Sequence, residues 1–153
     1  MDGARPQTRY CGVMATVFTM IINGDLPARF VWKDDQCVGF LSINPLTDGH
    51  VLVVPRVEVD HWLDADDDLM AHLLAVSHKI GRALEAAYRP AKVGFMIAGL
   101  EVPHLHIHLA PINGLNDLSF ANADPDPAPE RLDEAAAAVR SALRALGHAE
   151  VAD

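Results

Sequence analysis

Three histidines stand at alternate positions in the stretch EVPHLHIHLAP, residues 101–111, where His104, His106 and His108 interleave with Leu105, Ile107 and Leu109. An extended chain turns successive side chains to opposite sides, so this spacing predicts a strand with one imidazole face and one aliphatic face. The aliphatic face must pack against a core, and the imidazole face is left to meet water or to do chemistry. A single histidine there would read as a polar residue on the wet face of an edge strand. Three in strict alternation are rare by composition and point to function.

The rest of the chain says what that strand can join. With 153 residues, half of them apolar, there is material for one domain with a substantial core. Four other segments have strand character: RFVWK (29–33), CVGFLSI (37–43), HVLVVP (50–55) and KVGFMIA (92–98), with the histidine strand at 104–112. Asp34, Asp35 and Gln36 make a connection of hairpin length between the first two. From Leu69, the positions Leu73, Val76, Ile80, Leu84 and Ala87 form one apolar stripe, which predicts a long helix ending near Arg89 and Pro90. The aspartates at 66–68 suit its positive end, and His72 and His78 lie off the stripe as solvated residues. Val17, Phe18, Ile21 and Ile22 predict a short helix stopped at Asn23 and Gly24, and PERLDEAAAAVRSALRALG predicts a terminal one. The order β-β-β-α-β-β fits a mostly antiparallel sheet with helices packed on it. The boundaries expected are a loose leader at 1–13, a main domain at 14–115, a proline-rich connector at 116–129, and a helix and tail at 130–153 that pack on the same domain or on a dimer partner.

Charge and motifs exclude several classes. A net charge of −9, from 21 acidic and 12 basic residues with no basic cluster, opposes binding to nucleic acid. A small anionic ligand is compatible with it, since backbone N–H groups and histidines can make a local positive site. Cys11 and Cys37 belong to no C-x-x-C pair and read as reduced thiols of a cytoplasmic protein. Arg5 and Arg9 precede an apolar run that superficially suggests a signal peptide, but no small-x-small cleavage site follows. The run is also too short to span a membrane, which takes about 20 apolar residues. There is no internal repeat and no glycine-rich phosphate loop.

Two chemistries use a row of imidazoles. One is a metal site, but the outer Cα atoms on a strand would lie roughly 13 Å apart, which strains closure around one ion. Such a site would need a further ligand, and His50 or His61 could supply it. The other is nucleophilic catalysis, in which a neutral middle histidine attacks phosphorus while its neighbours donate to charged oxygens. That arrangement suits phosphoryl or nucleotidyl transfer and requires no metal or other cofactor.

HLHIHLAP resembles the His-φ-His-φ-His-φ-φ signature of the histidine triad (HIT) family of nucleotide hydrolases and transferases, and INPLTDGHVLVVPR resembles a second hallmark of that family. The resemblance covers about 14–112. It implies an α+β fold: a five-stranded antiparallel sheet with a long helix packed on it, a short N-terminal helix and a C-terminal helix. It also implies a homodimer whose sheets join. By position, His106 matches the nucleophile that attacks the α-phosphorus of a purine nucleotide or nucleoside phosphoramidate and forms a nucleotidyl-histidine. His108 matches the residue contacting phosphate oxygens, His104 the member that orients the nucleophile, and His50 the fourth histidine near the phosphate. Val17, Phe18, Ile21, Phe40, Ile43 and Leu52 match the base pocket, although each would serve equally as ordinary core. Ser42, Glu101 and Val102 complete the nucleotide site.

The chain departs from the family pattern in the same region. Ser42 stands where Asp or Asn commonly contacts the ribose, and a serine reaches less far. The loop MIAGLEVPH is short, lacks the usual asparagine, and has Leu100 where glutamine is common. Glu101 falls near the leaving group, where a carboxylate repels phosphate. Some family members hold structural zinc through an N-terminal C-x-x-C, and the corresponding Val17 and Met20 offer no ligand. The activity expected is cleavage of a phosphoramidate, dinucleotide or related ester. A nucleotide-binding module without turnover, or a metal-dependent hydrolase, stands as the alternative.

Overall fold

A computed structural model describes residues 15–153; the expected leader at 1–13, and Cys11 within it, lie outside the described residues. The elements run α1 (Val17–Asn23), β1 (Phe30–Lys33), β2 (Cys37–Leu41), β3 (Val51–Pro55), α2 (Asp67–Tyr88), β4 (Lys92–Met96), β5 (Ile107–Ile112) and α3 (Pro129–Ala145). The five strands form one antiparallel sheet in the order β1-β2-β3-β5-β4. This is the expected α+β architecture, with β4 and β5 paired as antiparallel neighbours. Among the described residues no helix is long and apolar enough to cross a membrane.

The central strands β2, β3 and β5 are buried on both faces, and the alternation along each strand decides which residue goes where. Cys37, Leu41, Val51, Val53, Ile107 and Leu109 face a core shared with Leu73, Val76, Ile80 and Leu84 of α2 and with Ala136, Val139 and Leu143 of α3. The four α2 residues are at most 1 % exposed, and each stabilises the fold by about 1.5–3 kcal/mol through apolar burial. The intervening residues Val38, Phe40, Leu52 and Val54 face the other way and pack with Phe18 of α1. β2 and β3 are therefore buried at every position, despite lying in an antiparallel sheet.

Termini and edges are tied down by specific bonds. Asp66 caps α2 by accepting from the Leu69 N–H at 2.7 Å, and Asp67 and Asp68 fill its first turn. The C-terminal residues fold back on β1: Lys33 N–H donates to Glu150 at 2.9 Å and Ala152 N–H to Val31 at 3.2 Å. That covers one edge of the sheet, while β4 forms the other.

Three expectations need correction. The histidine strand does not begin at 104 but at Ile107, because the Leu105 N–H goes to the Val59 carbonyl at 2.6 Å, outside any ladder, and β4 pairing ends at Met96 opposite His108. The other strands are likewise one or two residues shorter than read, β1 and β3 at their starts and β2 and β4 at their ends. His72 is not simply solvated: its Nε2 lies 2.8 Å from the Asp34 carboxylate. Ala87 is exposed while Ala83 is buried, since α2 meets the sheet through Ala83 and Leu84 near its end.

Candidate active site

The triad lies where β5 emerges from its preceding loop, and its imidazoles are not on a wet face. His104, His106 and His108 are 0, 5 and 7 % exposed, and His50, beside β3, is 2 % exposed. Buried polar groups need partners, and the partners here fix where each ring carries its proton. The His104 carbonyl lies 2.6 Å from His106 Nδ1; a carbonyl only accepts, so Nδ1 is the protonated nitrogen and Nε2 keeps its lone pair. The Leu46 N–H donates to His50 Nδ1 at 3.0 Å, which leaves His50 Nε2 as the donor toward His108 Nδ1 at 2.9 Å. His108 must then carry its proton on Nε2. Two backbone groups, the Leu46 N–H and the His104 carbonyl, thus set a lone pair on His106 next to a donor on His108.

Burial keeps these rings neutral. It pushes the His50 pKa down to about 3 and His108 down to about 4, with His106 adding a like-charge penalty to both and His108 a further one to His50. His106 is lowered as well, chiefly by burial, against a raising contribution from its bond to His104 and from the charge of Glu101. A neutral imidazole with a free Nε2 is the nucleophilic form.

His104 is packed behind this pair rather than in it. Its Nε2 faces the Pro55 carbonyl at 2.8 Å, and its Nδ1 meets the Thr16 hydroxyl at 2.7 Å. Thr16 also caps α1, accepting from the Thr19 N–H at 3.1 Å, while the Thr19 hydroxyl and the Thr16 N–H both donate to Glu58. This knot fastens α1 against the triad, with the Phe18 ring edge-on to His106 at 4.9 Å between centroids.

A cavity of about 540 Å³ opens in front of His106 and His108, a size suited to a small-molecule ligand. Its wall includes Val17, Phe18, Ile21, Phe40, Ser42, Ile43, His50, Leu52, Glu101 and Val102; His104 does not reach it. Val17 and Ile43 are 40 and 69 % exposed and stand at the mouth, while Phe18, Phe40 and Leu52 are buried in the wall. Ser42 Oγ accepts from the Asn44 N–H at 3.3 Å, which leaves its own proton available. Leu100, 94 % exposed, points away into solvent.

Sequence reasoning missed the segment after β5. Phe120, Ala123 and Pro125 close one side of the cavity, with Phe120 edge-on to His108 at 5.2 Å. Asn44 Nδ2 holds this segment by donating to the Asp124 and Pro125 carbonyls, each at 3.1 Å. Nothing periodic in the sequence marks these residues; Asn44, in the INPLTDGH stretch, is the one available signal.

The described residues do not fit a bound metal in this site. His61 is exposed beside Trp62 and lies outside the cavity wall, and His50 Nε2 is committed to His108. Val17 and Met20 offer no ligand, and the neighbouring Thr16 and Thr19 hydroxyls are occupied by hydrogen bonds. Elsewhere, Asp34, Cys37 and His72 bring ligand atoms within 4.8 Å of one another. The Asp34 carboxylate there is already satisfied by Trp32, Gln36, Cys37 and His72, and burial raises the Cys37 thiol well out of the thiolate range.

A five-stranded antiparallel α+β fold with a buried row of histidines at the rim of a mixed cavity defines a class of small-molecule-binding protein. The HIT domain profile matches residues 23–114, and the chain belongs to the HIT family. An uncharacterised HIT-like protein of Borreliella burgdorferi is 39 % identical over 102 residues, spanning 62 % of this chain and 73 % of that one. The protein hit of Bacillus subtilis is 31 % identical over 106 residues, spanning 66 % and 73 %. The crystal structure of a zinc-bound histidine triad family protein from Mycobacterium smegmatis superposes with a TM-score of 0.75 at 30 % identity, covering 88 % of this chain and 97 % of that one. The crystal structure of a hypothetical histidine triad nucleotide-binding protein from Sulfolobus tokodaii gives a TM-score of 0.75 at 25 % identity, covering 84 % of this chain and 92 % of that one. Family membership supports a nucleotide-related hydrolase, transferase or binding role.

Proposed function

We propose that this protein is a nucleotidyl hydrolase or transferase that cleaves a phosphoramidate, dinucleotide or related ester at the α-phosphate through a nucleotidyl-His106 intermediate. The observation that carries the reading is the pair of fixed tautomers, a lone pair on His106 Nε2 beside an N–H on His108 Nε2 at the cavity wall. The His106 lone pair forms the N–P bond as the bond from phosphorus to the leaving group breaks, and the leaving group departs with a proton drawn from water at the mouth. The ring becomes cationic, and the His104 carbonyl, already 2.6 Å from its Nδ1, accepts a stronger hydrogen bond as that charge grows. His108 Nε2–H donates to a phosphate oxygen. Water then adds to phosphorus, the N–P bond breaks, and nucleoside monophosphate leaves with His106 neutral again.

The base lies among Phe18, Ile21, Phe40 and Leu52, with Val17, Ile43 and Val102 bordering it and the Ser42 hydroxyl toward the ribose. An apolar, aromatic wall suits a purine, which has a large face and few charges. A second copy of the chain pairs along the open β4 edge, where Phe95, Trp62 and Leu74 remain 42–58 % exposed beside Met70 and Ile97. A nucleotide substrate goes with a cytoplasmic setting.

Mass spectrometry after mixing with adenosine 5′-phosphoramidate tests the reading. The expected result is a transient adenylyl adduct and release of AMP, with both lost in His106→Ala by about 10⁴-fold or more. AMP binding without an adduct or turnover would instead make the protein a binding module, and activity abolished by a chelator would make it a metal enzyme.

A further inference from the structure

Among the described residues, the wall of the cavity that holds His106 and His108 has no lysine or arginine, and Glu101 is its one acidic side chain. With the histidines kept neutral by burial, the formal charge of the wall is negative. Glu101 sits in the loop between β4 and β5, immediately before the turn in which the His104 N–H bonds the Val102 carbonyl at 2.8 Å. It is exposed at the mouth, yet its charge is felt at His106, where it favours the protonated ring. A phosphorus atom in bonding range of His106 therefore lies in the field of the same carboxylate.

The nearby arginines among the described residues are committed elsewhere. Arg131, the arginine that reaches the segment carrying Phe120 and Pro125, is divided between Asp48 at 2.5 Å and Asp124 at 2.6 Å. Arg29 is paired with Asp133, and Arg56 donates to the Asp34 carbonyl. A dinucleoside polyphosphate would bring several negative charges to a wall in which the described residues supply no side-chain cation to meet them. A phosphoramidate brings one phosphoryl charge and an amine, and an amine substituent bearing positive charge would be drawn to Glu101.

Resting on the nucleotidyl-transfer reading above, we infer that Glu101 selects the leaving group: the site takes nucleoside phosphoramidates of cationic or neutral amines and discriminates against dinucleoside polyphosphates. Attraction at an exposed mouth acts through solvent, so the preference weakens as salt screens it.

The test compares kcat/KM for three substrates: adenosine 5′-phosphoramidates N-linked to 1,4-diaminobutane and to pentylamine, and diadenosine triphosphate. The first two match in length and differ in one terminal charge. The wild type is expected to favour the cationic amide over the neutral one by about 10-fold, and the neutral one over the triphosphate by about 100-fold or more. Glu101→Gln is expected to bring the first ratio near unity and Glu101→Lys to invert it. Because each ratio is taken within one variant, a general loss of folding or activity cancels. A wild-type ratio near unity, or one unchanged in Glu101→Gln, overturns the inference while His106-dependent turnover keeps the function standing. No turnover of any of the three overturns both.

Discussion

His50 Nε2 donates to His108 Nδ1 across 2.9 Å, joining β5 to the loop ahead of β3 through a bond buried on both sides. The direction of that bond is inherited from the Leu46 N–H, which occupies the other nitrogen of His50. Removing the His50 ring frees His108 to place its proton on Nδ1, so the donor meant for phosphate is lost. His50→Ala is expected to lower kcat about 10–100-fold with a smaller change in AMP affinity, the signature of a positioning residue. His50→Gln can still donate from its amide and is expected to recover part of the loss; equal defects in the two variants would show that His50 acts by packing alone.

Neutral buried histidines make stability depend on acid. The folded values for His50 and His108, about 3 and about 4, lie below the ordinary imidazole value of about 6.5. Between those limits the unfolded chain takes up protons that the folded chain refuses. Stability is thus fully present above about pH 6.5 and declines as pH falls toward the folded values. His108 alone gives a loss on the order of 3 kcal/mol by pH 4. Asp34, held low by hydrogen bonds that outweigh its burial, contributes stability that is lost only at lower pH. Urea unfolding at pH 7 and pH 4.5 should show this slope, and the double variant His50→Leu/His108→Leu should lack most of it. The same argument for His106 predicts that kcat/KM is level above about pH 6.5 and falls only on the acid side.

The histidine alternation and the five strand segments were legible because a two-residue period and short apolar runs between turn residues have few structural meanings. The burial of β2 and β3 on both faces was not read from them. What the sequence concealed depended on partners far away in the chain. The strand begins at Ile107 rather than His104 because Leu105 is claimed by Val59, and His72 is held by Asp34, 38 positions earlier. Phe120 belongs to a segment held at the wall by Asn44, which grips the carbonyls of Asp124 and Pro125, and by the Asp124 N–H bond to the Pro45 carbonyl. Local periodicity carries no record of such contacts.

Gly49 shows how little room the site leaves. Its φ is +86°, and a Cβ placed on it would lie 2.5 Å from Cε2 of Tyr88 at the end of α2. Gly49→Ala combines backbone strain with a clash one residue before His50 and is expected to cost on the order of 2–3 kcal/mol, read as a lowered Tm. Adding Tyr88→Ala should relieve the clash but not the strain. The double variant is expected to recover the part of the Gly49→Ala loss that comes from crowding, measured against Tyr88→Ala alone; no recovery would assign the whole cost to the backbone.

The Thr16 hydroxyl reaches His104 Nδ1 at 2.7 Å and also caps α1, so one side chain couples the helix to the triad. Thr16→Val keeps the shape and removes both bonds. Losing a cap and a partly buried hydrogen bond should destabilise the fold by about 1–2 kcal/mol. The functional effect should exceed what that stability loss explains, because the His104 carbonyl is the acceptor that holds His106 in its nucleophilic tautomer. Thr16→Ser restores the hydroxyl and is expected to return most of the activity. At a temperature where all three proteins are fully folded, kcat for adenosine 5′-phosphoramidate should fall about 10-fold in Thr16→Val and stay near wild type in Thr16→Ser; equal kcat in all three would confine Thr16 to stability.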